Sequence, residues 1–215
     1  MEEIEKEKMR KRIPKMIEAL RKRQFDPHFF ETVSEARDFI QGQIAPGETV
    51  GIGGSITLRR ELGIVEALRN GGITVYDHWD AEGDSARRLE LKRTQRSSDV
   101  FIAGVNAATV DGILVNLDGG GNRVAGTCSG PKRVIVAFGA NKVVENLDEA
   151  IHRTRHHAAV LNAIRLERNT PCAETGICSD CSSPQRICAA LLILFKRPTD
   201  IDKFTVVLIN ERLGY

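Results

Sequence analysis

Apolar residues recur at helical spacing from Ile4 through Met9, Ile13, Met16, Ile17 and Leu20, with Lys, Arg and Glu between them. That period predicts an amphipathic helix with a solvated, mixed-charge outer face. A second, shorter helix is expected over residues 34–43, starting at a capping serine and stopping before Pro46-Gly47. The pattern then alternates. Strands are expected over 49–52, 74–76 and 100–103, separated by helices over 58–69 and 86–96. Residues 108–116 place Asp111-Gly112 between two short apolar runs, which predicts a tight hairpin. A buried strand over 133–138, a long helix over 147–166 and strands over 191–195 and 204–209 complete the reading.

Strand and helix alternation implies right-handed crossovers and a mostly parallel sheet, so the fold class expected is α/β and Rossmann-like. The chain is expected to divide into an N-terminal helical segment, 1–45, and an α/β domain, 46–215, that carries a cysteine-rich loop at 171–190. The 215 residues suffice for a full core, and 31 basic against 29 acidic side chains leave a net charge of +2. That balance indicates no nucleic-acid partner. The first twelve residues are mostly Glu, Lys and Arg, without the apolar stretch of a secretory signal, so a cytoplasmic location is expected. The longest apolar run, 189–195, has seven residues, far short of the ~18–20 of a spanning helix.

The first candidate site is the run Gly51-Ile52-Gly53-Gly54-Ser55-Ile56-Thr57, where a strand gives way to a helix. Glycines let a ligand approach the backbone, and free amides at a helix start favour an anion such as a phosphate or carboxylate. Gly53, Gly54, Ser55 and Thr57 are therefore candidate ligand contacts, with an unliganded tight turn as the alternative. The run lacks the Gly-Lys-Ser/Thr of a phosphate-binding P-loop and is not a full dinucleotide fingerprint. Polar residues also collect at predicted strand ends further on, where ligands of open α/β sheets bind. Asn106, Asp118, Asn122, Arg123 and Lys142 form this second candidate set; ordinary turn chemistry is the alternative for each. Arg123 and Lys142 have the charge to pair with a small carboxylate or phosphorylated ligand.

Four of the five cysteines, Cys172, Cys178, Cys181 and Cys188, fall within 17 residues. In a reducing compartment such clustering points to an iron–sulfur cluster, with [4Fe–4S] favoured, or to zinc; free or disulfide-paired thiols are the alternative. Their spacing matches neither the bacterial ferredoxin run nor a standard zinc ribbon. Cys128 stands alone and is expected to be a small buried apolar side chain. His152 and His156 share a helix face but lack the acidic partner of a metalloprotease motif, so an exposed basic face is expected there.

Taken together, GGSITL at 53–58, GVNAATVDGILVNLDGGGNRVAG at 104–126, GPKRVIVAFGANKVV at 130–144 and PCAETGICSDC at 171–181 resemble the LUD-domain family of lactate-utilisation proteins, of the LutC and YkgG type. The resemblance spans about residues 10–215. It implies a fold of the type shared by ribose-phosphate isomerases (RpiA), NagB and CoA transferases, and a place in the oxidation of lactate to pyruvate beside other lactate-utilisation subunits. Whether this chain is catalytic or an oxidoreductase subunit stays open, as does a homo-oligomeric state. Two other readings accompany it: a sugar-phosphate or CoA-type ligand-binding or isomerase-like protein, and a non-catalytic assembly subunit. The stretch from Gly104 to Asn116 is similar to a sugar-phosphate isomerase pattern, but Asn106 stands where that pattern has a titrating Asp, and an amide does not titrate.

Overall fold

The computed structural model describes residues 2–215; Met1 of the expected N-terminal segment lies outside them. The chain runs through helix α1 (Glu2–Lys22), strand β1 (Asp26–Phe30), α2 (Val33–Gly42), β2 (Thr49–Ile52), α3 (Ile64–Asn70), β3 (Thr74–Asp77), α4 (Ser85–Arg96) and β4 (Val100–Ala103). It continues with β5 (Ala107–Thr109), β6 (Leu114–Asp118), α5 (Asn122–Cys128), β7 (Arg133–Gly139), β8 (Val143–Val144), α6 (Leu147–His152), α7 (Ala159–Arg165), α8 (Pro171–Thr175), β9 (Ala190–Leu194) and β10 (Lys203–Ile209). The main sheet has six strands in the order β1-β10-β7-β4-β2-β3. Every pairing in it is parallel. The α/β, mostly parallel architecture expected from the alternation is thus what forms.

Strand periodicity sorts the core into two layers. Val134, Val136 and Phe138 of β7 point to one face, where α1 contributes Met9, Ile13, Met16 and Leu20. Ile135 and Ala137 point to the other, beneath α2 and α3. Both faces are covered, which is why the central strands read as continuous apolar runs. The N-terminal stretch supplies more than helix: β1 adds a parallel edge strand beside β10. Its sequence, DPHFF, offers neither alternation nor a β-branched run.

The second sheet, ordered β8-β5-β6-β9, contains the expected hairpin. Gly112 takes φ of 86° at its tip, and β5 and β6 pair antiparallel. Two expected helices are interrupted. Over 58–69 the chain forms a π-helical turn, Thr57–Glu61, and restarts as α3 only after Gly63, whose left-handed backbone breaks the run. Between α6 and α7 a second π-helical turn, Arg153–Ala158, sits inside an otherwise continuous helix. Helix α5 forms in a stretch for which the sequence pattern predicted no element. Cys128 at its end is exposed rather than buried, because α5 turns that end outward while Gly126 faces the sheet. Among the described residues no helix is long and apolar enough to cross a membrane.

Gly126 allows α5 to lie against β4: a Cβ there would stand 2.6 Å from the fully buried Phe101 ring, so the ring or the helix would have to give way. Gly126→Ala should therefore destabilise the protein by about 1–3 kcal/mol, seen as a lower urea midpoint.

Candidate functional site

The carboxyl ends of β2, β3, β4 and β7 open into a cleft of about 850 Å³. Arg59 organises this edge. Its side chain is 9% exposed and that of Asp77 only 4%. Nε donates to Asp77 Oδ2 at 2.9 Å and the second guanidinium nitrogen pairs with Oδ1, a two-point contact. The remaining nitrogen donates to the carbonyls of Gly53 and Ser55, each at 3.1 Å. One guanidinium thus ties the glycine turn after β2 to the end of β3. It also lies over the Trp79 ring, 4.1 Å from the centroid. Gly53 is held differently from its neighbours: its amide donates to the Ile102 carbonyl, and a Cβ would meet Ala103 and Phe101 at 3.2 and 3.3 Å. Gly53 packs on the sheet, whereas Gly54, Ser55 and Thr57 line the cleft.

Asn106, Asp118, Asn122, Arg123 and Lys142 line the same cleft, so eight of the nine candidate ligand residues meet there. Two of them are engaged in holding the protein. Asp118 Oδ2 accepts from the amides of Arg123 and Val124, at 2.7 and 3.0 Å, capping α5, while Oδ1 pairs with Arg123 at 3.1 Å. Asn106 Oδ1 accepts from the Leu117 amide at 2.9 Å and from Arg123 at 2.7 Å. Neither is free to act as a base.

Other residues of the cleft were not singled out in the sequence. His78, just past β3, is bonded through Nδ1 to Gln95 Nε2 at 3.1 Å, and Gln95 Oε1 accepts from Asn122 at 2.8 Å. A donor at Nδ1 leaves the proton on Nε2. Burial, helped by the nearby Arg59 charge, lowers the His78 pKa to about 4, so the ring is neutral near pH 7. Both π-helical turns border the cleft, the first through Thr57 and the second through Thr154 and Ala158. Local widening of a helix is a frequent feature of functional sites. The only sequence signal for these residues is position: His78 and Trp79 follow a strand directly.

Charge is the cleft's main property. Seven basic side chains line it against two acidic ones, Glu82 and Asp118. Lys142, on the 3-10 turn Ala140–Lys142 after β7, is only 6% exposed. Burial, with Arg153 and Arg123 nearby, lowers its pKa from 10.5 to about 7. Several buried atoms here lack a hydrogen-bond partner among the described residues: Asn122 Oδ1, Arg123 Nε and Thr154 Oγ1. Buried polar atoms left unpaired cost about 1–3 kcal/mol each, and their gathering in one cleft points to a polar ligand.

The cysteine segment forms one wall, through residues 184–187. Cys172, Cys178, Cys181 and Cys188 are free, partly exposed thiols. They do not gather: among the described residues no three His, Cys, Asp or Glu side chains meet in a way that would hold a metal. The physical reason is the absence of a local core. No residue from 171 to 189 is among the buried hydrophobics, and Ile177 is 70% exposed. Polar contacts carry the segment instead, above all Arg186, which donates to the carbonyls of Cys181 and Cys188 at 2.6 and 3.2 Å and to Asp180 at 3.2 Å. His152 and His156 stack with ring centroids 4.6 Å apart on an exposed helix face, as their spacing implied.

The family model described as the LUD domain matches residues 13–209. The chain belongs to the LUD-domain family. This LUD-domain protein is similar in structure to a DUF162 family protein from Deinococcus radiodurans, with a TM-score of 0.55 and 12% identity over 93% of this chain and 96% of that one. It also matches ribose 5-phosphate isomerase A from Methanocaldococcus jannaschii, at a TM-score of 0.35 and 16% identity over 63% of this chain and 65% of that one. No curated protein matches the LUD-domain chain.

Removing one partner of a buried ion pair strands the other charge, at a cost of about 3–5 kcal/mol. Asp77→Ala should lose stability on that scale in urea unfolding and release the Arg59 clamp. The double variant Arg59→Met, Asp77→Leu should lose distinctly less, and equal losses would deny the pair its charge-compensating role.

Proposed function

We propose that this LUD-domain protein is a component of a cytoplasmic lactate-utilisation system, supporting the oxidation of lactate to pyruvate together with other subunits. In this reading the cleft binds a small organic anion, a carboxylate or phosphorylated ligand. The observation that carries it is the excess of seven basic over two acidic side chains around a cleft at the carboxyl edge of a parallel sheet, where ligands of such sheets bind. Gly54 and Ser55 have no protein partner for their amides among the described residues, which leaves two further donors for an anion.

Four free, partly exposed thiols are the donor chemistry of an iron–sulfur cluster: Cys172 stands on α8, and Cys178, Cys181 and Cys188 on the stretch 176–189, which has no helix or strand and would have to close for the four to meet. Cys172, Cys178, Cys181 and Cys188 would hold it. When bound, such a cluster supplies one-electron transfer. This chain's own residues do separate work: Arg59 fixes the glycine turn, Arg165 and Lys92 add positive charge to the cleft, and residues 184–187 keep water from one side of it.

Trp79 is the sole tryptophan and lies in the cleft, so its fluorescence reports occupancy. Titration with lactate, pyruvate and sulfate should give a saturable change. Arg165→Ala, which removes a cleft cation bonded to Asn162 and 5.9 Å from the Trp79 ring centroid, should shift the saturation midpoint about 10-fold toward weaker binding whatever it does to the starting fluorescence, and Gly54→Val should weaken binding by filling the turn. No response to any of the three anions at millimolar concentration would overturn the cleft reading. Anaerobic reconstitution should yield iron and sulfide bound to the chain, and each single Cys→Ser variant should lose iron. Full iron retention in all four variants would overturn the cluster.

A further inference from the structure

Lys142 is the most anomalous charge in the molecule. Its side chain is almost wholly buried, it lines the cleft, and its ammonium has no hydrogen-bond or ion-pair partner among the described residues. The charged groups facing it come from three elements. Arg123 on α5 and Arg153 on the second π-helical turn repel it, and Glu61 on the first attracts it more weakly. Glu61 is partly committed elsewhere, since its Oε1 accepts from the Gly214 amide at 2.9 Å. Arg153 is fixed in place by the Asn106 and Asn141 carbonyls, at 2.6 and 3.2 Å. Two neighbouring groups, Thr154 Oγ1 and Arg123 Nε, are buried without partners beside the same cavity. A buried ammonium normally needs a counter-charge, and no carboxylate of the described residues stands within ion-pair distance of Lys142 to supply it.

We propose that Lys142 is the anion-seating residue of the cleft and that it takes up a proton when the anion binds. The inference rests on the anion-binding reading above and adds to it the contact and the proton. In the protein by itself, burial and two guanidiniums hold the amine near a pKa of 7, so above that pH it is largely neutral. A seated carboxylate, sulfate or phosphate reverses the local field and favours the ammonium. The sign follows from linkage: binding raises the pKa, so protons are taken up between the free value near 7 and the higher bound value, and affinity falls as pH rises through that window. Below pH 6 the amine is already charged and little proton uptake remains. His78 does not share this window, because its pKa is about 4.

Calorimetric titration of the full chain with pyruvate and with sulfate, neither of which titrates near neutrality, decides the matter. At pH 8, in Tris and in triethanolamine, two cationic buffers of different ionisation enthalpy, the apparent heats should differ by about one proton per anion bound. At pH 6 the difference should nearly vanish. Lys142→Arg keeps a fixed charge and should bind without proton uptake. Lys142→Met should bind more weakly and also without uptake, and each variant is checked for native circular dichroism. Anion binding at pH 8 with no proton uptake would overturn the role of Lys142 and leave the cleft reading standing. Uptake that persists in both variants would assign the proton elsewhere and equally overturn it. Absence of binding by either anion would remove the cleft reading and this inference together.

Discussion

A guanidinium and a carboxylate that are both almost out of water remain charged only if each is the other's partner, and Arg59 and Asp77 meet that condition. The pairing does more than neutralise charge. Arg59 also holds the Gly53 and Ser55 carbonyls and covers Trp79, so one side chain sets the turn after β2, the end of β3 and an aromatic wall. Desolvation penalises any rearrangement that separates the pair, and the cleft inherits that rigidity. Its shape is thus fixed from the sheet outward.

Around this frame the polar residues divide into two kinds. Asp118 and Asn106 satisfy backbone amides and brace Arg123, which places a cation at a defined point without leaving a free carboxylate beside it. Gln95 does the same for His78 and Asn122. Lys142 and Thr154 have no such protein partners among the described residues. The groups that are bound to protein therefore shape the cleft, and the groups that are not define what it can accept.

Much of the architecture was legible because the central strands are continuous apolar runs and the helices keep a 3.6-residue period. The hairpin was legible through Asp111-Gly112, whose glycine does take the left-handed backbone such a turn requires. Strand β1 was not, since DPHFF carries no alternation and forms only because β10 offers it an edge. Helix α5 was hidden by its glycines, and its cap, Asp118, lies four residues before its start. Eight of nine candidate ligand residues come together because strand ends in a parallel sheet converge at one edge. Arg59, His78 and Trp79 escaped notice because their role depends on burial and on neighbours distant in the chain. Convergence of the four thiols was expected from spacing alone, but spacing exerts no force, and no apolar contact in that segment draws them together.

The wall formed by residues 184–187 belongs to a segment that contributes nothing to either core layer and is held by polar contacts alone, from Arg186, Arg155, Asn169 and Asp118. Segments of that kind open in local fluctuations whose free energy is far below that of global unfolding. Access to the cleft is consequently decoupled from the stability of the sheet. Local opening of this wall would leave the core layers intact, so hydrogen exchange there should be fast while the strands beneath remain protected.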